Sequence, residues 1–172
     1  RSLPPGLIGA LSVNPPVDLR VASHIISTHR SSWLFNRYYM RLIGNQVRAL
    51  KKNFSTAIDP DLSTIWNFDA SYTAPVGGYK DVDDYYDQCS GKHYLKNIET
   101  STSILCSLDD PFVPPEVFKN VSMNSHVSIY QPQGGGHMGY ISRYQTPYGD
   151  RRWMDFVVLE WVREMSDRLT SK

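Results

Sequence analysis

Three short apolar runs along the chain predict buried β-strands. They span residues 6–13, 102–108 and 127–130, and turn-forming or charged residues follow each of them. The first runs into Asn14-Pro-Pro, the second into a pair of aspartates and the third into a glycine-rich stretch. Apolar runs of this length between turn signals are typical of strands that are buried on both faces of a parallel sheet.

Two longer segments show the spacing of amphipathic helices. Residues 21–50 predict one helix whose apolar face packs on a partner, and residues 153–169 predict a closing helix. The apolar positions of the first segment recur three and four residues apart and are Trp33, Leu34, Tyr38, Leu42 and Ile43. The aromatic and acidic stretch 54–94 predicts short helices and loops, with a turn at 74–78 and a helical turn or two at 81–88.

The alternation of strands and helical stretches predicts an α/β fold with a mainly parallel sheet. Functional side chains in such sheets collect in the loops at the carboxyl ends of the strands. Asp110 follows the second predicted strand, and His137 follows the third after three glycines at 134–136. An aspartate that orients a histidine is part of a hydrolytic triad, so this pair is a candidate catalytic dyad. A turn aspartate before Pro111 and a loop histidine without a ligand are the alternatives.

The glycines at 134–136 are expected to serve the same site. Without side chains they would let the backbone pass beneath the active site and present His137 without a bulky neighbour. A flexible surface loop with an incidental histidine is the alternative.

Composition narrows the functional classes. The chain has 172 residues, of which 41% are hydrophobic and 20% charged, as in one ordinary globular domain. Its formal charge is +1 and the basic residues look scattered, which gives no electrostatic case for nucleic acid or an anionic membrane. No apolar run is long enough to span a membrane, and no compartment is indicated. The first methionine is Met40, so we expect an excised segment or a processed product.

The two cysteines carry no evident chemistry. Cys89 and Cys106 are expected to be buried free thiols, since nothing in their spacing indicates a disulfide framework or a metal site. The sequence implies no metal and no cofactor.

Four ordered motifs resemble the YheT-like branch of the α/β-hydrolase fold family. They are residues 12–19 (SVNPPVDL), residues 84–86 (DYY) with Cys89-Ser90, residues 108–112 (LDDPF) and residues 135–140 (GGHMGY). This branch includes bacterial esterases, fungal medium-chain ester synthases and lipases, and animal lipid hydrolases. The resemblance spans nearly the whole chain.

The resemblance implies roles for particular residues. Asp110 and His137 match the acid and the base of the family's triad, and Asp109 is the alternative acid. It also implies three segments, which are a sheet strand of the core at 1–19, a helical cap insertion at 20–95, and a C-terminal core at 96–172. The core segment carries the acid and histidine loops and the closing helix. The fold class is therefore expected to be the C-terminal part of an α/β-hydrolase fold.

The nucleophile expected from the resemblance is missing. Family members carry a Gly-x-Ser-x-Gly elbow upstream of the first strand seen here, and no such motif occurs in the 172 residues. Cys89 and Ser90 lie in the expected cap region and are poor candidates to replace it. We expect the C-terminal portion of a serine ester hydrolase, lipase or acyltransferase that is inactive alone. Its expected partners are an acyl ester or lipid substrate and a missing N-terminal half. The alternative is a non-catalytic binding or assembly module that pairs through an exposed sheet edge.

Overall fold

The computed structural model of the chain describes residues 6–53 and 58–170. The strands are β1 (Ala10–Val13), β2 (Thr102–Leu105) and β3 (Val127–Tyr130). The helices are α1 (Leu19–Thr28), α2 (Trp33–Asn53), α3 (Ile65–Phe68), α4 (Ala74–Gly77), α5 (Val82–Cys89) and α6 (Trp153–Thr170), and α3 continues into α4 through a π-helical turn at Asp69–Thr73. Parts of the predicted segments, at 1–5, 54–57 and 171–172, lie outside the described residues.

The chain divides into two compact units. The first unit combines the chain up to Val17 with everything from Lys92 onward, and the second unit spans 18–91. The strands and α6 therefore belong to the first unit, and the other five helices belong to the second. That the second unit acts as a cap stays a prediction.

The sheet of the first unit is parallel throughout and has the strand order β1-β2-β3. In its register Ala10 faces Thr102, which in turn faces Val127. The predicted bounds of β3 are confirmed, whereas β1 begins at Ala10 rather than at residue 6 and β2 ends at Leu105 rather than at residue 108. The prediction that the strands are buried on both faces was also wrong for β1 and β3, because the residues of these two strands are exposed or half-buried.

Helix α6 packs its aromatic residues against the sheet unit. Trp153 stacks on the ring of Tyr140 at 5.9 Å and on that of Tyr130 at 6.0 Å. At the other end of the helix, a Cβ added to Gly9 would lie 2.5 Å from the sulfur of Met165, so α6 approaches the backbone before β1 closely. The central strand β2 supplies the core, where Ile104 and Leu105 are at most 2% exposed.

The second unit is organised around the buried ring of Tyr86. Its hydroxyl lies 2.7 Å from Ser23 Oγ in α1 and donates to Asp69 Oδ2 at 2.7 Å, while Trp66 meets its ring edge-on at 5.2 Å. Burial raises the pKa of Tyr86, which keeps the hydroxyl protonated. The predicted helix at 81–88 is confirmed as α5, whose N-terminus is capped by Asp81 through a bond from Asp84 N.

The prediction of one helix over residues 21–50 was wrong, because the segment contains two helices. His29 has an extended backbone (φ −72°, ψ 128°), and it ends α1 after Asp18 has capped the start of that helix. A short 3₁₀ turn at Arg30–Ser32 then leads into α2. The His29 Nδ1 lies 2.8 Å from Ser31 Oγ, and a local side-chain bond of this kind competes with helix continuation. Likewise, the predicted turn at 74–78 is the short helix α4, which ends at the left-handed Gly78.

The packed face of α2 is not the face that the pattern predicts. The buried positions are Met40, Gly44 and Val47, whereas Leu34 and Tyr38 are each 59% exposed. Both sets have helical spacing, so periodicity alone does not distinguish them. Within the described residues, no helix combines the length and apolar composition that crossing a bilayer requires.

Candidate active site

One polar residue follows each of the three strands. Asn14 comes directly after β1, Asp110 lies in the loop after β2, and His137 lies in the loop after β3. Since the strands are parallel neighbours, their carboxyl ends lie at one edge of the sheet. All three residues belong to the first unit, and the fold brings their side chains into one hydrogen-bonded group.

The side chains of Asp110 and His137 are in direct contact. His137 Nδ1 lies 3.0 Å from Asp110 Oδ2 and 3.3 Å from Oδ1. The side chain of Asp110 is fully buried, whereas that of His137 is 31% exposed. The ring of Phe112 meets the imidazole edge-on at 5.1 Å and restricts its orientation. Among the described residues the other ring nitrogen, Nε2, has no hydrogen-bond partner, so it is available to a substrate or a nucleophile.

Four groups hold the carboxylate of Asp110 in place. Besides His137, the backbone amides of Phe112 and Val113 donate to Oδ1 at 2.8 and 3.0 Å, and Asn14 Nδ2 donates to Oδ2. Burial on its own raises the pKa of Asp110, but these hydrogen bonds outweigh it and hold the pKa below the ordinary value. The carboxylate is therefore ionised at neutral pH and fixed beside the imidazole.

Two residues of this network were missed by the sequence reasoning. Asn14, which is 2% exposed, adopts the left-handed backbone conformation (φ 48°) and connects Asp110 to the third loop through a bond to Gly136 O at 3.2 Å. Tyr140 donates its hydroxyl to Asn14 Oδ1 at 2.5 Å and accepts from the amide of Ser107 at 2.9 Å. Asn14 could have been recognised from its position in the sequence, because it is a polar residue directly after a predicted strand. No comparable signal marks Tyr140.

The structural reasons for the glycines before His137 differ from those predicted. Gly136 has φ +55°, which residues with a side chain rarely adopt, and a Cβ on Gly135 would lie 2.4 Å from the ring of Tyr140. They thus allow a tight turn and close packing on the tyrosine. Nothing in the structure explains Gly134, where an added Cβ would make ordinary contact with Asp109 at 3.7 Å.

Asp109 and Asp110 have different surroundings. Asp109 is exposed and its Oδ1 accepts from the amide of Gly136 at 2.8 Å. This bond and one with Ser107 lower the pKa of Asp109. Asp109 therefore holds the backbone of the histidine loop, whereas Asp110 contacts the imidazole itself.

The two candidates to replace the serine, Cys89 and Ser90, have structural partners. Cys89 Sγ lies 3.0 Å from the hydroxyl of Tyr79. Ser90 is 1% exposed and its Oγ accepts from the amide of Leu19 at 3.1 Å, as a helix-capping residue does. Cys106 is buried, and burial, followed by the charge of Asp110, raises the pKa of its thiol to about 12. Both cysteines are free, but Cys89 is exposed, so the prediction that both are buried was wrong for Cys89. The described residues contain no cluster of three or more metal-ligating side chains.

Comparison with known proteins finds lipases and esterases. The chain is 26% identical over 177 residues to a monoacylglycerol lipase of Saccharomyces cerevisiae, a match that covers 95% of this chain and 38% of the relative. It is 30% identical over 147 residues to phospholipase ABHD3 of Bos taurus, with 78% of this chain and 36% of the relative covered. It is also 30% identical over 160 residues to YheT of Escherichia coli, a protein named provisionally as an esterase, with 89% and 46% covered.

The chain thus spans less than half the length of these relatives, and it corresponds to their C-terminal part. No protein-family model matches the chain, and no solved structure does.

Proposed function

The chain belongs to the YheT-like branch of the α/β-hydrolase fold family and has part of that fold, and on this premise we propose that it is the C-terminal portion of a serine ester hydrolase. In this proposal Asp110 is the acid and His137 the base of a Ser-Asp-His triad. The observation that carries the proposal is the 3.0 Å contact between His137 Nδ1 and the buried, ionised Asp110.

This contact supports the role of a general base. With Nδ1–H donated to Asp110, the lone pair of His137 Nε2 is free to accept a proton. Nε2 takes the proton of a serine hydroxyl while the serine oxygen attacks the ester carbonyl carbon. The imidazolium then gives that proton to the leaving alkoxide. Asp110 stabilises the charged imidazolium and holds its orientation throughout.

The serine comes from outside this chain in the proposal. The 172 residues contain no Gly-x-Ser-x-Gly, and the matched relatives have more than half of their length beyond the region of similarity. We assign the nucleophile and the oxyanion donors to that unmatched part. The acyl group on the serine is then released to water in hydrolysis, or to an alcohol in acyl transfer.

The proposed substrate is a carboxylic ester with an acyl chain. Two of the relatives are named for action on monoacylglycerol and on phospholipid, which are both acyl esters. In the proposal the helical second unit, 18–91, corresponds to the cap insertion of the family.

The test is the hydrolysis of a para-nitrophenyl ester of a medium-chain fatty acid by the full-length protein that carries this chain. We expect His137→Ala to lower kcat/KM by about three orders of magnitude or more. The matched control is His126→Ala, because His126 is exposed and, within the described part of the chain, only its backbone is hydrogen-bonded. A His137→Ala enzyme as active as the control would exclude the proposed base. A wild-type protein with its serine elbow but without any turnover would favour the non-catalytic alternative.

A further inference from the structure

The basic residues are concentrated in one segment of the second unit. Residues 19–58 contain seven cationic side chains and no aspartate or glutamate, although the whole chain has a formal charge of only +1. The seven are Arg20, Arg30, Arg37, Arg41, Arg48, Lys51 and Lys52. The prediction of scattered basic residues was therefore wrong for this segment, and the protein has a strongly positive region despite its neutral total.

Four of these arginines line a cavity of about 830 Å³. Its walls are the end of α1, the 3₁₀ turn with Arg30, the side of α2 with Arg37, Arg41 and Arg48, and the loop at Leu62 and Ser63. The loop is fastened to α2 by Asn36, which donates to Ser63 O at 2.9 Å and accepts from Ile65 N at 3.1 Å. None of the described residues that line the cavity is acidic.

The cavity arginines have no carboxylate partner. Among the described residues, Arg30, Arg37, Arg41 and Arg48 form no ion pair, and Arg48 donates only to the Asn45 amide oxygen. By contrast, Arg20 pairs with Asp83 and Asp87, and the arginines of α6 pair with acids on the same helix. Asp61 lies next to the cavity loop, but its carboxylate accepts from Ser63 N. The four arginines of the cavity therefore have no carboxylate partner in the cavity lining, although the second unit as a whole contains as many acidic as basic residues.

Apolar side chains lie beside these arginines on the outer face of α2. Leu34, Tyr38 and Leu42 recur four residues apart and are 59%, 59% and 42% exposed. Arg37 and Arg41 lie between them in sequence and are also exposed. A helix with an exposed apolar stripe next to a stripe of arginines fits the boundary between lipid headgroups and acyl chains.

We propose that α2 docks on an anionic phospholipid surface, with lipid phosphates in the arginine cavity and the side chains of Leu34, Tyr38 and Leu42 in the acyl boundary. Arginine binds phosphate oxygens through paired N–H groups, which matches four unpaired arginines around one cavity. Lipid accounts for the adjoining apolar stripe, whereas a nucleic acid backbone would leave it in water. The inference does not depend on the proposed catalytic role.

The test is cosedimentation of the 172-residue chain with phosphatidylcholine vesicles, with and without phosphatidylserine. We expect binding to the anionic vesicles that weakens as salt increases. Arg37→Gln, Arg41→Gln and Arg48→Gln together are expected to lower the partition coefficient by about 100-fold, since each arginine near an anionic surface contributes roughly fivefold. The matched control replaces Arg152, Arg163 and Arg168 with glutamine, which changes the net charge equally at ion-paired, exposed positions. This control should bind within about threefold of the wild type.

A second variant separates lipid docking from simple phosphate capture. Leu34→Ser with Leu42→Ser keeps every arginine, and it should weaken vesicle binding by tenfold or more while far-UV circular dichroism stays unchanged. Unchanged vesicle binding by this variant, or full competition by inorganic phosphate at matched ionic strength, would overturn the lipid surface in favour of a free phosphate site. Equal binding to neutral vesicles, or tighter binding to a DNA duplex than to anionic vesicles, would also overturn the proposal.

Discussion

Replacing Tyr140 with phenylalanine removes one oxygen atom from the network beside Asp110 and leaves the aromatic ring in place. The lost hydroxyl donates to Asn14 Oδ1 at 2.5 Å and accepts from Ser107 N at 2.9 Å. Its ring stacks on Trp153 at 5.9 Å, and phenylalanine retains that contact. The substitution therefore isolates the hydrogen bonds from the packing.

The expected cost follows from the burial of the two partners. Asn14 is 2% exposed and Ser107 is fully buried, so water does not replace the lost hydroxyl. Each buried polar group left unsatisfied costs about 1–3 kcal/mol. With two such groups, we expect Tyr140→Phe to lower the free energy of unfolding of the sheet unit by about 2–6 kcal/mol. That is a large part of the roughly 5–15 kcal/mol typical of a domain.

The measurement is native-state hydrogen exchange at the amides of β2, because this strand lies in the first unit and forms its core. The control is Tyr148→Phe, which removes an exposed hydroxyl that donates to Glu160 at 2.7 Å. This control is expected to change the free energy of unfolding by only about 0–1 kcal/mol. A loss from Tyr140→Phe no larger than that of the control would refute the reasoning.

Three further predictions concern the same loops. The imidazole proton of His137 should reside on Nδ1 in the wild type and on Nε2 in Asp110→Asn, because the asparagine amide can donate to Nδ1. ¹⁵N NMR of the ring distinguishes these two tautomers, and a proton on Nε2 in the wild type would contradict the geometry. Burial raises the pKa of Asp110, but hydrogen bonds from His137 and backbone amides lower it more, so the pKa lies below its ordinary value of 3.8. The ionised carboxylate therefore stabilises the fold above pH 3.8. This stabilisation should be lost as the pH falls below 3.8, and urea unfolding across that range should show a shallower loss in Asp110→Asn. Among the glycines, Gly134→Ala should leave the free energy of unfolding nearly unchanged. Gly136→Ala should lower it by about 1 kcal/mol because of the positive φ, and Gly135→Ala by about 1–3 kcal/mol because the new Cβ clashes with the ring of Tyr140. Equal free energies of unfolding for the three variants would contradict this order.

The sequence contains enough information to predict the sheet and the two loops that meet at its edge. The strand at 127–130, the helix at 81–88 and the closing helix have strong local patterns, and the structure contains all three. Asp110 and His137 could be paired because each follows a predicted strand and neighbouring parallel strands bring such loops together. The structure places their side chains 3.0 Å apart, while their catalytic roles stay a prediction.

Long-range contacts account for what the pattern did not predict. The bonds from Asn14 to Asp110 and from Tyr140 to Asn14 join residues 96 and 126 positions apart, and no local spacing encodes them. In α2 two stripes have helical periodicity, and the less apolar one, with Met40 and Gly44, is buried. The more apolar stripe is exposed, and this is what gives the basic helix its proposed docking face.

The most direct test of the catalytic account compares two neighbouring carboxylates in the full-length protein. Asp110 contacts the imidazole, whereas Asp109 accepts from the backbone amide of Gly136 in the histidine loop, so Asp110→Asn and Asp109→Asn make the same chemical change at two different places. Ester hydrolysis by each variant is compared with that of the wild type. We expect kcat to fall by about four orders of magnitude in Asp110→Asn and by less than about tenfold in Asp109→Asn. Equal losses, or a larger loss from Asp109→Asn, would contradict the assignment of Asp110 as the acid of the triad.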